Sequence, residues 1–193
     1  MGGVDGMSGM GRAPEGAEGF AEWVGPHVGV VARVVGRLGV GRLGAGWGVD
    51  RDDVVQEVLA RAWVKRRQYD PARGSPRVWL LAIAADQVRK AVRRRGRTAG
   101  WAAGWTGDDA EQVVAVVGIA GAPGAEAVAA RVDLGRALAG LTERQRLAVD
   151  CFYYADLSIA ETAAVMGCGE GTVKSTLSDA RAKLRERLEM SDG

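Results

Sequence analysis

Metal ligands are scarce in this chain of 193 residues: it has two cysteines, Cys151 and Cys168, and one histidine, His27. That set cannot supply a convincing four-ligand metal site, so no metal ion and no cofactor are expected. Cys151 falls on an apolar helical face and Cys168 in a turn, which reads as two reduced structural thiols. Long apolar runs are missing too. The best candidate, VVAVVGIAGA from Val113, is shorter than the eighteen or so residues a membrane span needs. A charged start followed by an apolar core is absent from the N-terminus, so no secretion signal is expected and the protein is expected to be cytoplasmic, without membrane insertion. Aromatic residues make up only 6% of the chain and strand-like alternation is rare, which leaves helices as the expected structure.

Charge is present but uneven. The formal net charge is +2, yet residues 51–100 hold thirteen Lys or Arg against five Asp or Glu, a net of +8. The remainder carries thirteen basic against nineteen acidic residues, a net of −6. A basic half within a nearly neutral chain is the footprint expected of a phosphate-contacting surface.

The last third, LTERQRLAVDCFYYADLSIAETAAVMGCGEGTVKSTLSDARAKLRERL, reads as a helix, a short helix, a glycine-bearing turn and a longer helix with a basic tail. Thr142 with Gln145, and Ser158 with Glu161, form capping boxes that satisfy backbone amides left open by a first helical turn. Gly167 and Gly169 break the second helix, because glycine reaches a left-handed turn without steric cost. In the last helix Val173, Leu177, Ala180, Leu184 and Leu188 recur at spacings of three and four and share a buried face. Gly171, Thr172, Ser175 and Ser178 lie opposite, flanked by Lys174, and their small polar side chains would let the helix approach base edges. The segment is a helix-turn-helix.

Upstream, residues 1–18 are rich in Gly and Met and read as a disordered tail. Residues 19–97 form a helical pattern, interrupted near Gly44–Gly48 and between Asp70 and Pro76. Asp50 suits the N-cap of RDDVVQEVLARAW, in which Val54, Val55, Val58, Leu59, Ala62 and Trp63 form the buried stripe. Asp53, Gln56, Glu57 and Ala60 then face outward. The helix from Pro76 is apolar on most sides in its first half and basic in its second, so it starts in the core and ends at solvent or phosphate. The Gly/Ala-rich stretch 98–123 reads as a linker, and residues 124–193 form the second unit. The fold class expected is all-α: two small helical domains, joined flexibly, the second a helix-turn-helix.

DRDDVVQEVLARAW, PRVWLLAIAADQVRKAVRRR and LTERQRLAVDCFYY…LSIAETAAVMGCGEGTVKS, in this order and at this separation, resemble a bacterial RNA polymerase sigma factor of the extracytoplasmic-function group. That group keeps only the second and fourth sigma domains, and the resemblance covers about residues 20–95 and 126–188. It implies a factor that binds core polymerase through its β′ and β subunits, directs it to promoter DNA, helps melt the duplex, and is restrained by an anti-sigma protein. It implies no enzyme activity.

Residue by residue, the resemblance makes Asp53, Gln56 and Glu57 the face that docks on the clamp helices of β′. It assigns the tract 70–95 to the downstream (minus-ten) element and the melted strand, with Arg77, Asp86, Arg89, Lys90, Arg93, Arg94 and Arg95 as its DNA-facing residues. A loop between Tyr69 and Trp79 would hold an extruded base, while Trp79 itself packs in the core. Thr172, Lys174, Ser175, Thr176, Ser178 and Arg181 are assigned to the upstream (minus-thirty-five) element. Asp86 and Lys90 depart from the Asn and Asp frequent in relatives, and Thr176 and Asp179 from arginine. The latter pair weakens the upstream contact, since an arginine–guanine pair is worth about 1–3 kcal/mol.

Two other readings fit the residues alone. One is a DNA-binding regulator with a similar helix-turn-helix and an unrelated sensor domain. The other is a sigma-like interaction protein that starts no transcription, a reading kept open by Asp86, Thr176 and Asp179. A metal-dependent enzyme built on Asp50, Asp52 and Asp53 is disfavoured, because helix capping accounts for that cluster.

Overall fold

The computed structural model describes residues 11–43, 51–98 and 134–190, with no β-strand among them. In chain order the helices are α1 (Ala17–Leu43), α2 (Arg51–Lys65), α3 (Pro76–Thr98), α4 (Glu143–Val149), α5 (Ile159–Met166) and α6 (Glu170–Glu189). Two short 3-10 turns, Arg66–Gln68 and Pro71–Arg73, join α2 to α3, and a π-helical turn, Asp150–Tyr154, extends α4. A further helical segment covers 134–139. The predicted break at Gly44–Gly48, the Asp50 cap and most of the 98–123 linker lie outside the described residues.

Spacing explains the first three helices. On α1, Phe20, Val24, Val31, Val34, Val35 and Leu38 are buried, the stripe of a helix covered along one side. On α2, Val54, Val55, Val58 and Ala62 are buried and Leu59 and Trp63 pack against them, as the sequence predicts. Leu80, Leu81, Ala84 and Val88 carry the buried face of α3. Complete burial of each Leu or Val contributes about 1.5–3 kcal/mol, so this three-helix core supplies most of the half's stability. Helix α1 begins at Ala17, inside the stretch read as a tail to residue 18. Just before it, the Glu15 carbonyl accepts a hydrogen bond from Arg66 Nε at 3.3 Å.

An aromatic cluster closes one end of this core. Trp23 sits 4.9 Å from Tyr69 and 5.9 Å from Trp79, and Tyr69 lies 5.5 Å from Trp79 (ring centroids). Phe20 joins it edge-on to Trp63 at 5.2 Å. Such edge-to-face contacts add about 0.5–1.5 kcal/mol each beyond buried area. Trp79 therefore packs against protein, as expected.

The C-terminal helices α4, α5 and α6 surround Leu147, Val165, Met166, Val173 and Leu177. This core is continuous with the first: α5 packs on α3, and α1 meets α4 and the π-turn. The two halves thus sit against each other.

Candidate nucleic-acid interface

The helix-turn-helix is assembled by its caps. Thr142 Oγ1 accepts from the Gln145 amide while the Gln145 side chain accepts from the Thr142 amide, at 3.3 and 3.1 Å. Ser158 and Glu161 repeat the arrangement at 3.2 and 2.9 Å. Gly167 ends α5 at φ +64°, the left-handed conformation its missing Cβ permits. Gly169 then caps α6 with no side-chain hydrogen bond, its carbonyl accepting from the Thr172 and Val173 amides at 3.0 and 3.3 Å.

Helix α6 buries Val173, Leu177 and Ala180 and exposes Gly171, Thr172, Lys174, Ser175, Ser178 and Arg181. The Ser175 hydroxyl donates to the Thr172 carbonyl at 3.0 Å, and Arg181 Nε donates to the Leu177 carbonyl at 3.3 Å. Thr176 departs from its sequence assignment. It is 8% exposed, and its hydroxyl donates to the Thr172 carbonyl at 2.7 Å, so it belongs with the buried stripe and not with the exposed face. Because it lies three residues after Val173 and one before Leu177, the helical turn places it at the edge of that stripe.

The loop before α3 is built as tightly. Asp70 Oδ1 accepts from the Ala72 amide at 3.0 Å, which fixes the Pro71–Arg73 turn. Gly74 takes φ +143° beside the Val78 side chain, and the Tyr69 hydroxyl donates to its carbonyl at 3.1 Å. Burial and the neighbouring Asp70 raise the Tyr69 phenol above its usual range, keeping that donor protonated. Along α3, Arg77 is half-buried with Nε unpartnered, Arg89 is half-buried and Arg93 is exposed. Asp86 and Lys90 engage each other at 2.6 Å, so the acidic departure partly neutralises the basic one. The side chains of Arg94 and Arg95 lie outside the described residues.

A cleft of 470 Å³ separates this loop from the helix-turn-helix. Lys65, Gln68, Asp70, Arg73, Trp79, Asp86 and Arg89 line one side, and Ala164 to Gly167 of α5 line the other. The expected base-holding loop therefore faces α5.

On α2, Asp53, Gln56 and Glu57 are exposed opposite the buried stripe, as the sequence predicts. Glu57 accepts from Arg61 Nε at 2.9 Å. Val64 continues this outward face at 73% exposure and was not singled out by sequence, although its spacing of seven from Glu57 marks it. A second feature had no sequence reading: Arg37 of α1 and Asp150 of the π-turn meet at 2.6 Å, side chains 7% and 0% exposed. Its only local trace is a charge inside each apolar run, GVVARVVGRL and RLAVDC. No group of His, Cys, Asp or Glu fit to hold a metal occurs among the described residues. No described helix is long and apolar enough to cross a membrane.

Two family matches cover these two halves. Sigma-70 region 2 matches residues 23–98, and Sigma-70, region 4 matches residues 131–184. The ECF RNA polymerase sigma factor RpoE of Cereibacter sphaeroides is 31% identical over 137 residues, 71% of this chain and 71% of that protein. The ECF RNA polymerase sigma factor SigK of Mycobacterium ulcerans is 32% identical over 144 residues, 72% and 73% of the two chains. Among solved structures, the fold is shared with the sigma factor RpoE of Bartonella quintana, crystallised with the anti-sigma factor NepR (TM-score 0.66, 23% identity, 90% of this chain and 98% of that one). It is shared also with CnrH in complex with the cytosolic domain of CnrY (TM-score 0.62, 24% identity, 91% and 90%). The chain belongs to the ECF RNA polymerase sigma factors. Its function is that of an alternative sigma factor, which directs RNA polymerase to promoters.

Proposed function

We propose that the division of labour is as follows. Residues 19–97 dock on core polymerase and engage the downstream element; residues 124–193 read the upstream element; the stretch between tethers them. Asp53, Gln56 and Glu57 meet a basic partner helix, with Val64 as the apolar edge of that contact. Charge complementarity at such a face speeds encounter and fixes register. Arg77, Arg89, Lys90 and Arg93 to Arg95 meet phosphates. Thr172, Lys174, Ser175, Ser178 and Arg181 meet the upstream duplex, with Thr176 supporting the helix from beneath. The protein acts without chemistry of its own, inside the cytoplasm. An anti-sigma protein restrains it, the partner class bound to the solved RpoE of Bartonella quintana.

The observation that carries this reading is the pairing of two exposed polar faces, on α2 and α6, with buried faces built on Val54, Val55, Val58 and Ala62 and on Val173, Leu177 and Ala180. It is tested by adding the purified chain to core polymerase with fragmented genomic DNA and mapping start sites. Binding to core in the absence of DNA excludes an ordinary helix-turn-helix regulator. Core binding without any new start site would leave only the interaction-protein reading.

A further inference from the structure

Two buried cations share one buried anion. Arg37 and Arg146 are 6% and 5% exposed, and Asp150, fully buried, is the only buried carboxylate among the described residues. Arg37 Nε donates to Asp150 Oδ1 at 2.6 Å. The other oxygen, Oδ2, stands 4.0 Å from Arg146 Nε, and neither atom has a hydrogen-bond partner. This cluster is left with one positive charge in excess. Burial presses the Arg146 guanidinium below its ordinary range; Asp150 opposes that shift and Arg37 adds to it. An ion taken out of water is costly unless a counter-ion reaches it.

A way in exists. Arg146 lines a recess of 20 Å³, room for about one water, together with Leu38, Val88 and Leu147. The recess shares Arg89, Glu143 and Leu147 with an outer cavity of 200 Å³, to which Arg144 and Met166 are added. Three arginines, one from α3 and two from α4, thus line one connected space. Guanidinium forks match phosphate oxygens in pairs. The volume lies below the ~300–1,000 Å³ of drug-sized pockets, so the ligand must be small. Glu143 narrows the choice further. A carboxylate beside the arginines tolerates an anion only where that anion brings a hydrogen-bond donor. Inorganic phosphate brings one in its own hydroxyl and a sugar phosphate in its alcohol groups, whereas sulfate brings none.

We propose that this cavity binds a small hydroxyl-bearing phosphate, with Arg89 and Arg144 on its oxygens, Arg146 supplying the buried charge behind them and Glu143 accepting from its hydroxyl. Arg89 also lines the 470 Å³ cleft beside the loop before α3. A phosphate held here draws that guanidinium away from nucleic acid, a consequence that rests on the functional reading above; the site itself does not.

The test titrates the full chain, free of polymerase, with inorganic phosphate, ribose 5-phosphate and sulfate, by calorimetry at neutral pH and matched ionic strength. Both phosphates should bind at least about tenfold more tightly than sulfate, which leaves Glu143 facing an acceptor. Binding of inorganic phosphate alone, without the sugar phosphate, would also uphold the site and name free phosphate as its ligand. Arg144→Gln, at an exposed position outside the core, should weaken phosphate about tenfold. Arg33→Gln, at an exposed position of α1, should change nothing. Glu143→Gln should bring sulfate close to phosphate in affinity. Phosphate should also raise the Tm of the parent and not that of Arg144→Gln. Weak and equal binding of phosphate and sulfate, indifferent to Arg144→Gln, would mean counter-ion screening only and would overturn the site.

A second arm separates small phosphates from the backbone of DNA. Saturating phosphate should weaken binding of a fluorescent single-stranded oligonucleotide to the parent, relative to sulfate, and not to Arg144→Gln. An oligonucleotide that depends on Arg144, with neither small phosphate bound, would make the cavity a DNA contact and overturn the proposal. Phosphate binding that leaves oligonucleotide affinity unchanged upholds the site and counts against Arg89 as a DNA contact.

Discussion

Replacing Asp53, Gln56 and Glu57 together with alanine separates docking from folding. The structural cost is small. Glu57 gives up its exposed i,i+4 pair with Arg61, 2.9 Å long and about half solvent-accessible at both ends; such pairs contribute about 0.3–0.5 kcal/mol. Asp53 gives up its favourable place in the first turn of α2, typically about 0.3–1 kcal/mol at the helix's positive end. Alanine recovers a few tenths through its helix propensity. The net loss is about 1 kcal/mol or less, a fall in Tm of about 2–4 °C for a chain of this size. Binding should respond far more. If these side chains form the centre of the docking face, affinity for core polymerase falls at least about tenfold, equivalent to ~1.4 kcal/mol, and transcription drops at every promoter alike. Scanning calorimetry paired with a core-binding titration reads both quantities on one preparation. A variant with the expected small Tm change and parental affinity for core would refute the docking assignment. A Tm loss beyond about 10 °C would refute the claim that this face is free of structural duty.

Other outcomes follow from single features. Gly167→Ala, forcing a Cβ into φ +64°, should destabilise the C-terminal half by about 1–2 kcal/mol, and Gly167→Asn by less, as urea midpoints will show. Changing Lys174 and Ser175 to alanine should leave core affinity intact and weaken only promoters that depend on the upstream element, in a transcription assay with paired templates. Arg93→Ala should shallow the salt dependence of DNA binding by holoenzyme, because one fewer counterion is released; an identical slope would place Arg93 away from phosphate. Burial and the Asp150 carboxylate push the Cys151 thiol up to about 12 from 9.0, so a thiol reagent at neutral pH should label Cys168 and spare Cys151. The folded state holds that proton more tightly than the unfolded one. Its contribution to stability is therefore full below about pH 9 and fades as pH climbs toward 12, which denaturant titrations at pH 8, 10 and 11 would reveal.

What could be read in advance was whatever depends on near neighbours along the chain. Both capping boxes, the Gly167 turn, the stripe of α2 and the first half of that of α6 follow from near-neighbour spacing, and the structure reproduces them, whereas Leu184 and Leu188 are only half-buried. Thr176 was misplaced because a threonine beside a stripe is ambiguous: a hydroxyl that bonds back to the carbonyl four residues earlier can be buried at little cost, and periodicity cannot see that bond. The meeting of Trp23, Tyr69 and Trp79, like that of Arg37 and Asp150, depends on how separate helices cross. Spacing within any one helix is silent about crossing.

The π-turn carries a consequence for how this chain can vary. Its hydrogen bonds reach one residue further than an α-helix allows, with the Ala155 amide donating to the Asp150 carbonyl at 2.8 Å. One residue is in effect wedged into the end of α4. Removing any one of Asp150 to Tyr154 would let the segment relax into ordinary α-helix, and at 3.6 residues per turn every side chain upstream would swing by about 100° relative to everything downstream. Point substitutions along α4 adjust a contact, whereas a single-codon deletion here would re-aim one half of the molecule against the other. Length at this turn is therefore a sharper constraint on the gene than the identity of most residues within it.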